Sequence, residues 1–111
     1  MPDQLDQLRT SVVISDDGTR IGSVGRIYLD DASGQVTFVT AKVGLFGQRE
    51  VFVPVAGAMI GDGLVETPFR SDLVKNAPEV ADDFRLTPGQ EAGILRYFGL
   101  PFILPTDDSL N

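Results

Sequence analysis

Three of the adjacent aspartate pairs in this sequence are the first candidates for acid–base or metal chemistry: Asp30–Asp31, Asp82–Asp83 and Asp107–Asp108. Paired carboxylates can transfer protons or bind Ca²⁺. Neighbouring side chains on an extended segment point to opposite sides, so a pair does not direct both carboxylates to one point. Residues 30–34 also lack the ligand spacing and the closing glutamate of an EF-hand. We therefore expect solvated surface acids at these positions and no metal site.

A second candidate is the short segment Gly44-Leu45-Phe46-Gly47, whose glycines are typical of a loop that binds phosphate. Such loops continue into Lys and Ser or Thr at the start of a helix, and this segment does not. The loop is then expected either to turn Leu45 and Phe46 inward or to present them to a partner. Arg49 and Glu50 beside it are expected at a solvated rim, where an ion pair contributes about 0–1 kcal/mol.

The composition excludes much of the remaining chemistry. The 111 residues include no His and no Cys. Without them the chain has no thiol nucleophile, no imidazole metal ligand and no Ser-His-Asp triad. We therefore expect no catalytic, cofactor-binding or metal-binding residues and no enzyme. The length suits one domain with one core.

The net charge of -7 argues against direct binding of nucleic acid, which requires clustered Lys and Arg. The acids concentrate after residue 60, where nine stand against four basic residues. No apolar run approaches the roughly 18 residues of a membrane span. Residues 1–10 have neither the basic nor the apolar region of a secretory signal. These features predict a cytoplasmic protein without a membrane span.

The elements that must position these residues are mostly short strands. Runs rich in β-branched residues, separated by turn residues, predict five to six strands at 12–14, 21–29, 36–43, 50–55, 58–60 and 64–67. Gly22 and Gly25 predict a bulge or a bend inside the second strand. Pro54 predicts an edge strand or a strand end. In the third strand, the face with Val39, Ala41 and Val43 has the more core-like composition at its Val43 end.

Two helices are expected after the strands. Residues 71–77 form a short helix in this reading, capped by Ser71 and ended before Pro78. Thr87-Pro88-Gly89-Gln90 is a capping box that begins a longer helix, and Gly99 ends it. Five to six short strands at turn spacings of roughly 8–12 residues favour a small barrel or sandwich. Helices that follow the strands without alternating exclude a doubly wound sheet. Residues 1–10 are expected to be flexible or to form a short helical turn.

Several of these segments, in this order and spacing, resemble the PRC-barrel family of small β-barrels. The matching segments are Ile21–Ile27, Asp30–Gly34, Val43–Gly47, Val53–Ala58, Val74–Pro78 and Arg96–Gly99. The chain is most similar to stand-alone bacterial members. We expect neither the extra N-terminal domain of the related ribosome maturation factor nor the membrane helix of the reaction-centre H subunit. The resemblance implies a mainly β fold: an antiparallel barrel over residues 11–99 that ends in one short and one longer helix.

The resemblance also implies an adaptor or assembly surface without catalytic residues. We expect a self-associating interaction module, with a homodimer favoured. The expected interface residues are Leu45, Phe46, Val51 and Val53, with Phe102, Ile103 and Leu104 of the apolar, then acidic, tail 100–111. The tail is expected to dock either on its own barrel or on another chain. The alternative is a ribosome maturation or RNA-processing adaptor that binds a ribosomal protein. An enzyme or ligand binder would require a pocket of roughly 300 Å³ or more with converging polar groups.

Overall fold

A computed structural model describes residues 4–80 and 86–101 of the chain. The elements in these residues are α1 (Gln4–Arg9), β1 (Val12–Ile14), β2 (Arg20–Leu29), β3 (Val36–Val43), β4 (Arg49–Pro54), β5 (Met59–Gly61), β6 (Leu64–Glu66), α2 (Ser71–Lys75) and α3 (Pro88–Tyr97). They fall into two compact units that divide between Val80 and Ala81. The mainly β class and the two helices after the strands are confirmed. None of the helices in the described ranges is long and apolar enough to cross a membrane.

The six strands of the described residues form one sheet in the order β4-β3-β2-β1-β6-β5. All neighbours pair antiparallel except β1 and β6, which run parallel with Val12 opposite Leu64. The expected barrel is therefore corrected on two points. One pair is parallel, because the long connection through β2–β5 returns β6 alongside β1 in the same direction. Within the described residues β4 and β5 are terminal strands, so the sheet is not closed by hydrogen bonds.

The long strand β2 pairs with β1 through its first half and with β3 through its second half. Its register against β3 shifts between Val24 and Ile27, which is the bulge that the glycines predicted. Gly22 is required for a different reason. A Cβ at this position would overlap the main-chain carbonyl of Lys42, so β2 and β3 approach closely there only without a side chain.

The core lies on both faces of β3, the strand between β4 and β2. Phe38, Val39, Thr40 and Ala41 are buried in succession. The sequence prediction of one core-like face was incomplete, because successive residues that point to opposite faces of β3 are all buried. The ring of Phe52 on β4 lies 5.4 Å from that of Tyr28 and 6.3 Å from that of Phe38, centroid to centroid. These spacings are typical of favourable aromatic pairs.

The local turn and helix signals are mostly confirmed. Asp62 and Gly63, between β5 and β6, have φ values of 55° and 78°, the two positive angles that a type I′ hairpin turn requires. The predicted Ser71 cap is wrong. Arg70 has the extended conformation of the N-cap, so α2 begins one residue earlier than a Ser71 cap would place it, and no side chain caps it. Residues 4–9, expected to be flexible or a helical turn, form α1, in which Leu8 is buried.

Helix α3 has the capping expected from the sequence at both ends. The Thr87 side chain accepts a hydrogen bond from the Gln90 main-chain N–H, and the Gln90 side chain accepts one from the Thr87 N–H. After the helix, Gly99 has a φ of 74°. The N–H groups of Gly99 and Leu100 donate to the carbonyls of Arg96 and Leu95, which is a Schellman motif.

Candidate functional site

The loop between β3 and β4 is a tight, hydrogen-bonded turn. The Gly47 N–H donates to the Gly44 carbonyl over 3.2 Å, and both glycines have positive φ, 96° at Gly44 and 68° at Gly47. The side chain of Gln48 folds beneath the turn, where its Oε1 accepts a 2.9 Å hydrogen bond from the Phe46 N–H. The backbone is therefore held without help from the two apolar side chains at the tip. We call residues 44–47 the hydrophobic turn.

The hydrophobic turn presents its two large side chains to solvent. Leu45 is 86% exposed and Phe46 is 87% exposed, so the structure favours the presented arrangement over the inward one. Burying a Leu or Phe side chain gains roughly 1.5–3 kcal/mol, which these two residues forgo within their own chain. Two adjacent apolar side chains on an otherwise acidic protein are a feature of contact surfaces.

Charged residues surround the hydrophobic turn, and the ion pairs differ from those expected. Arg49 pairs with Glu79 at 3.4 Å, and Glu50 pairs with Arg26 at 3.2 Å. Arg49 thus pairs with a residue that follows α2, and Glu50 pairs with a residue of β2. The two do not frame the turn together. The side chain of Lys42 is exposed, and its Cβ lies 3.6 Å from the place where a Cβ on Gly47 would be. Lys42 forms no ion pair with any residue that the structure describes.

The expected edge surface near Val51 and Val53 is covered by the chain itself. Both side chains are fully buried. The Phe52 N–H donates to the Pro78 carbonyl at 3.0 Å, and the Val80 N–H donates to the Glu50 carbonyl at 2.9 Å. Residues 78–80 therefore bond the outer edge of β4, and a partner cannot reach the two valines without displacing core side chains. Pro54 is the last residue of β4, as predicted.

The predicted tail residues Phe102, Ile103 and Leu104 lie outside the described residues, as do the pairs Asp82–Asp83 and Asp107–Asp108. Of the expected interface residues, the structure thus places two, Leu45 and Phe46, at the surface. It separates them from Val51 and Val53, which belong to the core.

The remaining acid pair takes part in local turn structure. The Asp30 carboxylate accepts a 2.8 Å hydrogen bond from the Ser33 N–H, which, with the Ser33 side chain, lowers the pKa of Asp30. Asp31 is exposed beside it. Across the described ranges, no group of three or more acidic side chains is arranged to hold a metal ion.

A groove lined mainly by apolar side chains, called the apolar groove below, lies at the opposite end of β3 from the hydrophobic turn. It has a volume of about 400 Å³ and is lined by Leu5, Leu8, Gly34, Gln35, Val36, Val55 and Ile60. Gln35 is its one polar side chain, so the groove exceeds the volume stated for a ligand site but lacks converging polar groups. No local sequence pattern indicates this groove, because its walls come from α1, the turn before β3, the first residue of β3, the residue after β4, and β5.

Comparison with known proteins adds one finding about the first unit. A family model described as the PRC-barrel domain matches residues 3–74, which include the hydrophobic turn and every residue that lines the groove. No curated protein matches the chain.

Proposed function

The chain belongs to the PRC-barrel family, and from that premise we propose that it is a non-catalytic interaction module that associates with a second copy of itself through the hydrophobic turn. The observation behind this proposal is the exposure of Leu45 and Phe46, at 86% and 87%, on a turn whose backbone is hydrogen-bonded independently of them. A preformed turn loses little conformational freedom when it binds, which favours association.

A protein partner fits the charge of the chain better than nucleic acid does. The net charge is -7, and phosphate backbones are bound by clustered basic residues. Arg49, Arg26 and Arg70 are already paired with carboxylates of the same chain. The apolar turn instead suits an apolar surface of another protein. Two-fold pairing of identical chains is the commonest closed assembly of soluble proteins.

The test is the mass of the protein in solution as a function of concentration. Sedimentation velocity of the full chain should show a species of twice the 12.0 kDa chain mass at tens of micromolar. The double variant Leu45→Ser with Phe46→Ser should weaken this association at least roughly hundredfold, since it removes the burial of two large side chains.

Met59→Ser is the matched control, because Met59 is also a large exposed side chain, at 71%, and lies outside the turn. This variant should associate as the unchanged protein does. A 12.0 kDa species for the unchanged protein at all concentrations would refute self-association. Equal weakening by Met59→Ser would show that association is not specific to the turn.

A further inference from the structure

We infer that the apolar groove of one copy is the site that receives the hydrophobic turn of a second copy. This inference rests on the proposed self-association and adds its second surface. The apolar patch and the apolar concavity are both present in the unit that spans Met1–Val80, so each copy can supply both halves of the contact.

The distance along β3 requires that the two halves come from different copies. Val36, the first residue of β3, lines the groove, and Gly44 of the hydrophobic turn directly follows Val43, the last residue of β3. Eight residues of extended strand span roughly 25 Å. The hydrophobic turn therefore cannot reach the groove of its own chain.

The chemistry of the groove matches the tip of the turn. Five of its seven lining residues have apolar side chains, while Gln35 and main-chain atoms supply the polar part of the lining. Its volume of about 400 Å³ lies in the range of pockets that enclose small ligands. Leu45 and Phe46 are adjacent and project from a narrow turn, which is the shape that a groove of this size accepts. Ile60, at 37% exposure, is one of the wall residues that such an insertion would cover.

The charges at the two ends of the sheet are complementary. Asp30 and Asp31 lie in the same hydrogen-bonded turn as the groove residues Gly34 and Gln35, and neither forms an ion pair with a described basic residue. Lys42 stands exposed beside the hydrophobic turn without a described ion partner. Insertion of the turn brings this ammonium towards the two carboxylates, which favours the encounter and its orientation.

The same contact made twice gives a closed dimer. If each copy inserts its turn into the groove of the other, the two contacts are related by a two-fold axis and no apolar turn or groove is left free. A chain with the turn and the groove at opposite ends could also form open filaments. The reciprocal dimer prevents filament growth, because the turn and the groove of both copies are then occupied.

Disulfide trapping tests the contact directly, because the natural chain has no Cys. Full chains with Phe46→Cys and with Ile60→Cys are mixed under mild oxidation and resolved by mass. The main product of the mixture should be a heterodimer joined by a disulfide between positions 46 and 60. Phe46→Cys mixed with Ser23→Cys, an exposed position outside the groove, should give little crosslinking.

The outcomes separate this inference from the proposed function. Crosslinking of Phe46→Cys chains mainly to one another would place turn against turn, which overturns the groove as the acceptor while self-association stands. Association without any crosslink from position 60 would also overturn the groove. Absence of association at all concentrations would refute both proposals.

Complementation provides an independent second test. Ile60→Glu places a charge in the groove, and Leu45→Ser with Phe46→Ser removes the tip, so each variant alone should be monomeric. A mixture retains one intact turn and one intact groove, on different chains. It should form a heterodimer that is weaker than the natural dimer but detectable by sedimentation. A mixture that remains monomeric at the highest concentrations would overturn the inference.

Discussion

The carboxylate of Glu50 occupies the space that a side chain at position 25 would fill. A Cβ on Gly25 would lie 2.7 Å from Glu50 Oε2 and 2.8 Å from Thr40 Oγ1. That carboxylate oxygen accepts a 2.6 Å hydrogen bond from the Thr40 hydroxyl and a 3.2 Å bond from Arg26 Nε, while Thr40 Oγ1 accepts a 2.7 Å bond from the Arg26 N–H. The bulge in β2, the middle of β3 and the start of β4 are thus joined by one polar cluster.

We expect Gly25→Ala to lower the free energy of unfolding by about 1–3 kcal/mol, because the added methyl group displaces a carboxylate fixed by two donors. Urea unfolding measures the change. Gly61→Ala is the matched control: no atom lies within 4 Å of its Cβ position and its φ is not positive. Equal stability of the two variants would contradict the proposed steric role of Gly25.

Two buried threonines should respond in opposite directions to replacement by valine. Thr67 Oγ1 is buried and has no hydrogen-bond partner among the described residues, so Thr67→Val should raise the free energy of unfolding by about 1 kcal/mol. Thr40→Val should lower it by about 1–3 kcal/mol, because the Arg26 N–H and the Glu50 carboxylate each lose a partner. Thermal or urea unfolding of the two variants measures these changes in the free energy of unfolding. Changes of the same sign would contradict the hydrogen-bond assignment.

Asp17 should make the stability of the turn between β1 and β2 depend on acid pH. Its Oδ1 accepts hydrogen bonds from the Ser15 hydroxyl at 2.6 Å, the Thr19 hydroxyl at 2.7 Å and the Thr19 N–H at 3.1 Å. The Ser15 bond first, and then those from Thr19, lower the pKa of Asp17 from 3.8 to about 2. A lowered folded-state pKa contributes stability above pH 3.8 that is lost as the pH falls to about 2.

Asp17→Asn removes this titration, so its stability difference from the natural chain should be present at pH 5 and should shrink between about pH 4 and pH 2. Urea unfolding across this range measures the difference. Asp16→Asn controls for loss of one negative charge from the same turn, since Asp16 accepts no side-chain hydrogen bond from the described residues. A difference for Asp17→Asn that is constant with pH would contradict the assignment.

Thr87→Ala should loosen the first turn of α3. The variant removes the acceptor for the Gln90 N–H, a loss that costs a helix about 0.5–2 kcal/mol. Amide hydrogen exchange at residues 90–93 should accelerate, whereas Thr87→Ser, which keeps a hydroxyl, should change it little. Exchange rates that are equal in the two variants would show that the cap contributes nothing to this helix.

The features predicted best are those that depend on neighbours in sequence. The β-branched run 36–43, the Asp62–Gly63 turn and the Thr87 capping box were all located from local residue types, because backbone preference and short-range hydrogen bonds determine them. The Ser71 cap failed although it used the same reasoning. The backbone turns helical at Ser71 itself, so the extended residue before the helix is Arg70, whose side chain does not cap it.

In the candidate site, too, local residue types predicted one part, and the other part depends on residues distant in sequence. Leu45 and Phe46 were identified from sequence as a pair either presented or turned inward, and the Gln48 hydrogen bond beneath the turn is compatible with presentation. Val51 and Val53 were expected at an open edge. Both are buried, and the edge of β4 beside them is bonded by residues 78–80, about 27 residues further along the chain.

The sequence by itself determined the class of this protein: a mainly β chain of the PRC-barrel family, without His or Cys chemistry, whose glycines interrupt β2 and bound an apolar turn. The tertiary structure alone decided that β6 joins β1 in parallel, that Glu50 fills the space beside Gly25, and that four distant segments enclose an apolar groove. The physical reason is that local preferences act over a few residues, whereas packing and strand pairing join segments that become neighbours only when the chain folds.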